Sequence, residues 1–164
     1  MVLSGARGSV AGGTFGPPQI SFDEITLLEE KGRGYFGIVY RAMVRGCEVA
    51  VKVPHREVSN PAQFMREVNV LSKLFHPNVC LFMGACLSKK VMIVTELMKG
   101  DVETLLLNKA NKFRLSELIS MALDAARGMA WLHGNNPPVY HRDLKIANLL
   151  YDESMKIKVL FEDS

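Results

Sequence analysis

Three closely spaced glycines followed at once by a strand-forming segment restrict the fold more than any other feature of the chain. Gly32, Gly34 and Gly37 have the spacing of a loop whose backbone N–H groups approach a phosphate. In dinucleotide-binding folds a helix must follow the third glycine. Here the segment 38–40, rich in β-branched residues, follows instead. The pattern therefore predicts a hairpin that forms a flap over a nucleotide, and a plain glycine-rich hairpin without a ligand is the alternative.

The next predicted strand places a lysine and a small residue on one face. Val49, Val51 and Val53 alternate with Ala50 and Lys52, and alternate residues of a strand share a face. The face of Ala50 and Lys52 suits a flat ring beside the alanine and phosphates beside the lysine. The alternative is a solvated lysine on an edge strand, which is a common arrangement.

An amphipathic helix is predicted after this strand. Asn60 can cap the helix, and Pro61 suits its first turn. Its apolar stripe comprises Phe64, Val68, Leu71 and Phe75. Glu67 flanks that stripe, and a carboxylate in a largely buried environment needs a cation or a hydrogen-bond partner. Lys52 is the natural candidate, whereas a Glu67 side chain that bends out to solvent is the alternative.

The rest of the chain separates into a sheet-forming part and a helical part. We expect the glycine-rich residues 1–20 to form a flexible leader. The further predicted segments are strands at 79–87 and 91–95, helices at 102–107 and 115–133, and short strands near 149–150 and 157–159. The apolar face of the longer helix comprises Leu115, Leu118, Ile119, Ala122, Ala126 and Met129. The predicted fold class is therefore α+β, with a five-stranded sheet and one helix preceding a mainly helical part.

Composition excludes several classes of protein. The 164 residues are 48% hydrophobic and 23% charged, as in ordinary globular proteins and unlike fibrous or fully disordered chains. A net charge of +3 is too small to indicate nucleic-acid binding, and no stretch approaches the ~18 apolar residues of a membrane helix. The chain shows no secretory signal, and its three cysteines form no disulfide or zinc pattern. We therefore expect an intracellular, cytoplasmic protein.

The segment 141–148 is the most specific string in the chain. It combines a carboxylate, three potential cations and a carboxamide in the order His141-Arg142-Asp143-Leu144-Lys145-Ile146-Ala147-Asn148. Asp143 could accept a hydroxyl proton, Lys145 could neutralise a phosphoryl group, and Asn148 could hold a metal ion. These residue types at these offsets indicate phosphoryl-transfer chemistry.

In this order and spacing, the motifs resemble those of the eukaryotic protein kinases. The glycine loop 32–39, the segment 49–52 with Glu67, and the string 141–148 each match a part of the kinase template. The resemblance implies a two-lobed fold, with a small lobe and hinge over residues 21–98 and a partial large lobe over residues 99–164. It also implies ATP and Mg²⁺ as cofactors, and protein substrates that are phosphorylated on Ser or Thr and also on Tyr.

The resemblance assigns a role to each matching residue. It implies that Asp143 is the catalytic base beside Lys145, that Lys52 paired with Glu67 binds the α- and β-phosphates, and that Asn148 binds one Mg²⁺. The ATP site that it implies comprises Gly32, Gly34, Gly37, Val39, Ala50, Lys52, the gatekeeper Thr95, Glu96, Met98 and Leu150. The strings 75–79, 82–86 and 131–133 resemble the tyrosine-kinase-like group, and 94–98 with 101–106 resemble its SH2-domain-containing amoebal members.

The chain departs from the kinase pattern after Val159. Kinases continue with Asp-Phe-Gly, whose aspartate binds Mg²⁺, but Phe161 occupies the aspartate's slot in this chain. Asp163 is a carboxylate that comes two residues late, roughly 7 Å farther along the chain. The hydrophobic spine that links the lobes of a kinase is matched at three positions, Leu71, Phe82 and His141, and its Asp-Phe-Gly phenylalanine is absent.

These departures predict a truncated chain with negligible transfer activity, because phosphoryl transfer needs both the lysine–glutamate pair and the aspartate–magnesium contact. Without the later helices of the large lobe, the apolar face of the helix 115–133 should be exposed and open to a partner. The alternative function is a non-catalytic nucleotide-binding or interaction module.

Overall fold

The N-terminal half of the chain is an antiparallel sheet of five strands with one helix. The computed structural model describes residues 16–34, 37–55 and 61–161. The elements of this half are β1 (Ile25–Arg33), β2 (Gly37–Val44), β3 (Cys47–Pro54), α1 (Pro61–Leu71), β4 (Phe82–Cys86) and β5 (Met92–Glu96). The strand order is β1-β2-β3-β5-β4. The predicted five-stranded sheet with one helix is therefore confirmed.

The central strand β3 has the predicted alternation of buried and accessible side chains. Val49 and Val51 are fully buried in the core of the sheet, whereas Ala50 and Lys52 are partly exposed on the other face. In the register of the sheet, Lys52 lies opposite Val39 of β2, and Ala50 lies opposite a residue of β5. The β2–β3 hairpin thus presents one apolar face to the core and one face to a cleft.

The helix α1 begins at Pro61 as predicted, while Asn60 lies outside the described residues. Phe64 is buried, in agreement with the predicted stripe, but Phe75 is 66% exposed. The helix ends at Leu71, so helical spacing no longer applies at residue 75. Leu74, which is 3% exposed, supplies the next core contact instead.

The last residues of the predicted leader are packed against the sheet, in contrast to our expectation for residues 1–20. Residues 1–15 lie outside the described part of the chain. The N–H of Ile20 donates to the carbonyl of Ala85 at 2.9 Å, and the carbonyl of Pro18 accepts from the N–H of Ala85 at 3.0 Å. Ile20 is 6% exposed. This segment satisfies backbone groups of β4, which is the edge strand of the sheet.

The C-terminal half is mainly helical and carries a small second sheet. Its elements are β6 (Gly100–Asp101), α2 (Val102–Leu107), α3 (Leu115–His133), a 3₁₀ turn (Ile146–Asn148), β7 (Leu149–Tyr151) and β8 (Ile157–Val159). The strands pair in the antiparallel order β6-β7-β8. Both predicted helices and both predicted short strands are present, whereas β6 was not predicted because two residues carry no periodic signal.

Backbone hydrogen bonds join the two halves of the chain at β8. The N–H of Val159 donates to the carbonyl of Asn78, and its own carbonyl accepts from the N–H of Cys80, each at 2.9 Å. The Asn78 side chain is buried and donates to the carbonyl of Ile157 at 2.9 Å. The helix α3 packs against this junction at Gly128, where a Cβ atom would lie 2.4 Å from the Asn78 carbonyl oxygen. The segment after α1 is thus fixed to the C-terminal half.

The predicted apolar face of α3 is largely accessible to solvent. Leu115 is 72% exposed, Ile119 57% and Leu118 39%, whereas Leu132 near the end of the helix is fully buried. The expected exposed apolar surface is therefore present, and a partner bound to it stays a prediction. Within the described residues, no helix combines the length and the apolar character needed to cross a membrane.

Candidate active site

A cleft of about 540 Å³ lies between the five-stranded sheet and the C-terminal half. Its lining includes nine of the ten residues of the predicted ATP site, all except Gly37: Gly32, Gly34, Val39, Ala50, Lys52, Thr95, Glu96, Met98 and Leu150. Glu67 of α1 also lines the cleft. The structure therefore brings residues from β1, β2, β3, α1, β5 and β7 into one site.

Two of the three glycines line the cleft. They are Gly32 and Gly34, whereas Gly37 stands at the start of β2 and is not part of the lining. A Cβ atom at Gly37 would be 2.5 Å from the carbonyl oxygen of Val53, so the close approach of β2 to β3 requires glycine there. The carbonyl of Gly34 accepts a hydrogen bond from Nε2 of His55 at 2.9 Å, a contact that the sequence pattern did not indicate.

Apolar side chains from both halves of the chain line the cleft. Val39 and Ala50 lie on the side of the sheet, and Leu150 lies on the side of the C-terminal half. Met98, which is 8% exposed, follows β5 at the connection between the halves. These four apolar side chains belong to the residues that the resemblance assigns to the ATP site, and their contact with an adenine ring stays a prediction.

Lys52 and Glu67 both line the cleft, as the alternation in β3 and the stripe of α1 predicted. Both side chains are partly exposed, which agrees with groups that face a cleft rather than bulk solvent. An ion pair between Lys52 and Glu67 stays a prediction. Because Glu67 lines the cleft, the structure argues against the alternative in which its side chain bends away to solvent.

The side chain of Glu96 joins the two halves of the chain, a role that sequence reasoning missed. One carboxylate oxygen accepts from Nζ of Lys158 at 2.6 Å, and the other accepts from the N–H of Leu81 at 2.7 Å. The two charged side chains are only 15% (Lys158) and 23% (Glu96) exposed. Glu96 is therefore held at the end of β5 by groups from a loop and from β8.

The segment 141–148 brings its three predicted functional side chains together. Nζ of Lys145 donates to Oδ2 of Asp143 at 2.7 Å, and Nδ2 of Asn148 donates to the same oxygen at 3.1 Å and to the Asp143 carbonyl at 2.8 Å. The hydrogen bond from Lys145 is the main cause that lowers the pKa of Asp143. Asp143 is thus ionised near neutral pH and is oriented from two sides.

His141 connects this loop to the end of the described chain. Its side chain is buried, and Nε2 donates to the carbonyl of Leu160 at 2.8 Å, since a carbonyl oxygen can only accept. The ring of Phe161 packs edge-on against the imidazole with 5.8 Å between the ring centroids. Phe161 is 6% exposed and shares a core cluster with Leu71 and Phe82.

This packing corrects our expectation about the hydrophobic spine. When the chain is aligned with the kinase motif, Phe161 stands at the position of the metal-binding aspartate. We therefore expected the fourth residue of the spine, a phenylalanine, to be absent. In the structure, the Phe161 ring contacts His141 and lies in the same cluster as the other two spine residues. An apolar aromatic side chain gains more from this cluster than from the open cleft. A phenylalanine thus occupies the spine although it comes one residue early.

Comparisons with known proteins agree with this geometry. A family model described as "Protein tyrosine and serine/threonine kinase" matches residues 25–160. The chain belongs to the protein kinase family. It is 49% identical over 148 residues to the dual specificity protein kinase shkA of Dictyostelium discoideum, and the match covers 88% of this chain and 28% of that protein. It is 42% identical over 149 residues to the serine/threonine-protein kinase CTR1 of Arabidopsis thaliana, covering 85% and 18% of the two chains.

A second relative from Dictyostelium discoideum, the dual specificity protein kinase shkC, is 46% identical over 149 residues, with 88% of this chain and 29% of the relative covered. The kinase chain described here spans less than a third of each of these three relatives. The predicted resemblance to protein kinases is confirmed over nearly the whole described part of the chain.

The magnesium site of kinases is not matched by the residues that the structure describes. Kinases hold Mg²⁺ with an aspartate and with the asparagine of the catalytic loop. Here Asn148 is present, but Phe161 offers no oxygen ligand at the position of the aspartate. No group of three acidic, histidine or cysteine side chains suited to a metal ion occurs within residues 16–34, 37–55 and 61–161. The described donor set therefore does not fit Mg²⁺.

Proposed function

We propose that the cleft binds ATP and that the catalytic loop has the residues with which a protein kinase transfers the γ-phosphate to a hydroxyl group of a protein substrate. The observation that carries this proposal is the arrangement of Asp143, whose carboxylate is held at 2.7 Å by Lys145 and at 3.1 Å by Asn148. An oriented, ionised carboxylate is suited to accept the proton of an attacking hydroxyl. Ser and Thr are the proposed acceptors, and Tyr is included because two relatives are named dual specificity kinases.

The roles within the cleft follow from the chemistry of its residues. The apolar walls at Val39, Ala50 and Leu150 would hold the adenine, and the ammonium of Lys52 would bind phosphate oxygens. Lys145 would neutralise charge on the transferred phosphoryl group beside Asp143. Phosphoryl transfer depends on positioning and electrostatics, so each of these contacts acts by holding charge in place.

We further propose that this chain transfers phosphate at a negligible rate. Phe161 supports this proposal, because its buried ring cannot replace the carboxylate that the family uses at this position. The second candidate function is therefore a nucleotide-binding module without catalysis, and the same observation favours it. An intracellular location is proposed as well, in agreement with only three cysteines in 164 residues.

Nucleotide binding is tested by titrating the purified chain with ATP and following the heat of binding. We expect Lys52→Met to weaken ATP binding at least about tenfold, or ~1.4 kcal/mol. The matched control is Lys90→Met, because Lys90 is an exposed lysine on the β4–β5 connection, outside the cleft. Equal affinities for the two variants would contradict the proposed site.

Transfer is tested with radiolabelled ATP and a mixture of Ser-, Thr- and Tyr-containing peptides. We expect the chain to transfer no more radiolabelled phosphate to the peptides than the Asp143→Asn variant does. Incorporation that disappears in Asp143→Asn would show that the chain is catalytic, and would overturn the second candidate function.

A further inference from the structure

Part of the cleft lining is apolar, and it includes the residue that stands at the sequence position of the kinase metal-binding aspartate. Leu71, Ile93, Leu160 and Phe161 all line the cleft. Leu71 is 5% exposed, Phe161 6% and Ile93 8%, so their packing leaves little space for water. An isolated charge placed against such a surface loses much of its hydration, which is costly without a paired ligand. The surface therefore disfavours a hydrated divalent cation.

The carboxylates that line the cleft are already engaged with protein groups. Both oxygens of Glu96 accept hydrogen bonds, one from Lys158 at 2.6 Å and one from a backbone N–H at 2.7 Å. Asp101 caps α2 through the backbone N–H of Thr104 at 2.7 Å and its hydroxyl at 2.9 Å. Glu67 also has an interaction within the protein. A metal ion could recruit any of the three only by displacing such a contact.

The catalytic loop is a separate cluster of polar groups. Oδ2 of Asp143 contacts the ammonium of Lys145 at 2.7 Å, so a cation of the protein lies beside this carboxylate. Asn148 uses its amide nitrogen to bind Asp143. Neither Asp143 nor Asn148 is part of the cleft lining.

The cleft instead carries several cationic side chains of its own. Lys31 and Arg33 of β1, Lys52 of β3 and Lys99 after β5 all line it. Three of these cations already contact exposed carboxylates that lie outside the cleft lining: Lys31 contacts Glu29 at 3.1 Å, Arg33 contacts Glu30 at 2.8 Å, and Lys99 contacts Glu153 at 2.7 Å. Ion pairs between exposed side chains are weak, so phosphate oxygens can replace these carboxylates. Ammonium and guanidinium groups are established ligands of phosphate oxygens, and they need no metal to balance the charge. The apolar walls at Val39 and Ala50 would receive the purine in the same way with or without a metal.

We propose that this cleft takes adenine nucleosides and nucleotides in their metal-free form, with phosphate charge balanced by the protein's own cations. This proposal rests on the proposed function of the cleft as an adenine-nucleotide site. It differs from that function in a single respect, because it predicts that Mg²⁺ contributes nothing to the binding of the nucleotide.

The test compares the affinities of the full chain for ATP, ADP and adenosine, each measured by calorimetry in excess Mg²⁺ and in excess EDTA. We expect each affinity to change by less than about threefold on chelation, which is ~0.65 kcal/mol. A loss of ATP affinity of more than about tenfold in EDTA would overturn the proposal and leave the nucleotide site intact. An absence of binding by all three ligands under both conditions would overturn the proposed function itself.

Two substitutions test whether Phe161 and the cationic side chains explain why nucleotide binding does not depend on Mg²⁺. Phe161→Asp places a carboxylate in the cleft lining, and we expect ATP binding to this variant to become stronger in Mg²⁺ than in EDTA by about tenfold or more. The control is Phe75→Asp, because Phe75 is 66% exposed and is not part of the cleft lining. If Phe161→Asp does not fold, Arg33→Met gives a second measurement: we expect it to weaken ATP binding in EDTA while adenosine binding is retained. Loss of both ligands to the same extent would contradict the role of the cations.

Discussion

Truncation of Phe161 to alanine tests whether this residue joins the two halves of the chain. Phe161 is 6% exposed and lies in the cluster that contains Phe64 and Leu71 from α1 together with Leu132 from α3. Its ring also contacts the imidazole of His141 edge-on at 5.8 Å between centroids. Removal of the ring would leave a cavity between side chains of both halves, which α1 and α3 could close only by moving toward each other.

The expected loss of stability follows from this burial. Phe→Ala substitutions in a packed core cost about 3–5 kcal/mol, because the transfer free energy of the ring and a residual cavity both contribute. Phe161 is nearly fully buried, so the substitution should fall within this range. For a chain of this size, 1 kcal/mol shifts the melting temperature by about 2–4 °C, so we expect a decrease of roughly 6–20 °C.

The assay is urea unfolding followed by tryptophan fluorescence, since Trp131 is the single tryptophan and lies on α3. The matched control is Phe75→Ala, because Phe75 is the same residue type at 66% exposure. We expect the control to change the free energy of unfolding by no more than about 0.5 kcal/mol. A loss of less than about 1 kcal/mol for Phe161→Ala, or equal losses for both variants, would refute the bridging role.

Three further predictions follow from contacts elsewhere in the chain. Lys158→Met and Glu96→Gln should each destabilise the fold by about 1–3 kcal/mol in urea unfolding, since each leaves a largely buried partner unsatisfied. Gly128→Ala should cost about 1–3 kcal/mol in the same assay, because the added Cβ would meet the Asn78 carbonyl oxygen at 2.4 Å. Burial lowers the pKa of His76 from its ordinary value of 6.5 in the folded chain, so the unfolded chain binds a proton at this imidazole more readily. The melting temperature should therefore fall as the pH decreases below about 6.5.

Each of these predictions has a result that would contradict it. The double substitution of Lys158 and Glu96 should cost less than the sum of the single ones by about 0.5–3 kcal/mol, and strict additivity would exclude a direct interaction. Gly134→Ala, where the nearest atom would be 3.2 Å away, is the control for Gly128→Ala, and equal effects would contradict the steric argument. A His76→Gln variant that keeps the full pH dependence would show that another group causes it.

Local patterns in the sequence predicted most of the secondary structure, and the resemblance to kinases predicted most of the residues proposed for the cleft. The alternation of Val49, Val51 and Val53 with Ala50 and Lys52 identified both faces of β3, because side chains of a strand point to opposite faces in turn. The motif spacing placed the glycine loop and Lys52 together, and the structure brings them into one cleft. These features depend on residues that are close in sequence, so the sequence alone specified them.

Contacts between distant residues were not predictable in this way. The ion pair between Glu96 and Lys158 joins residues 62 positions apart, and the hydrogen bond from Asn78 to Ile157 joins residues 79 positions apart. No periodic pattern distinguishes such a lysine from a solvated one. The packing of Ile20 against β4 was missed for a related reason, since glycine-rich composition describes the segment as a whole and not its last residues.

Phe161 shows how residue identity selects the surroundings of one backbone position. The hydrogen bond from His141 to the carbonyl of Leu160 fixes the chain just before it, beside both the cleft and the core cluster. An aromatic ring gains free energy by leaving water for the cluster, whereas a carboxylate at the same position would lose hydration there without a paired charge. The phenylalanine therefore strengthens the contact between the two halves. Its presence in place of an aspartate also removes a metal ligand. Binding of nucleotide and loss of metal-dependent transfer are accordingly compatible properties of one folded chain.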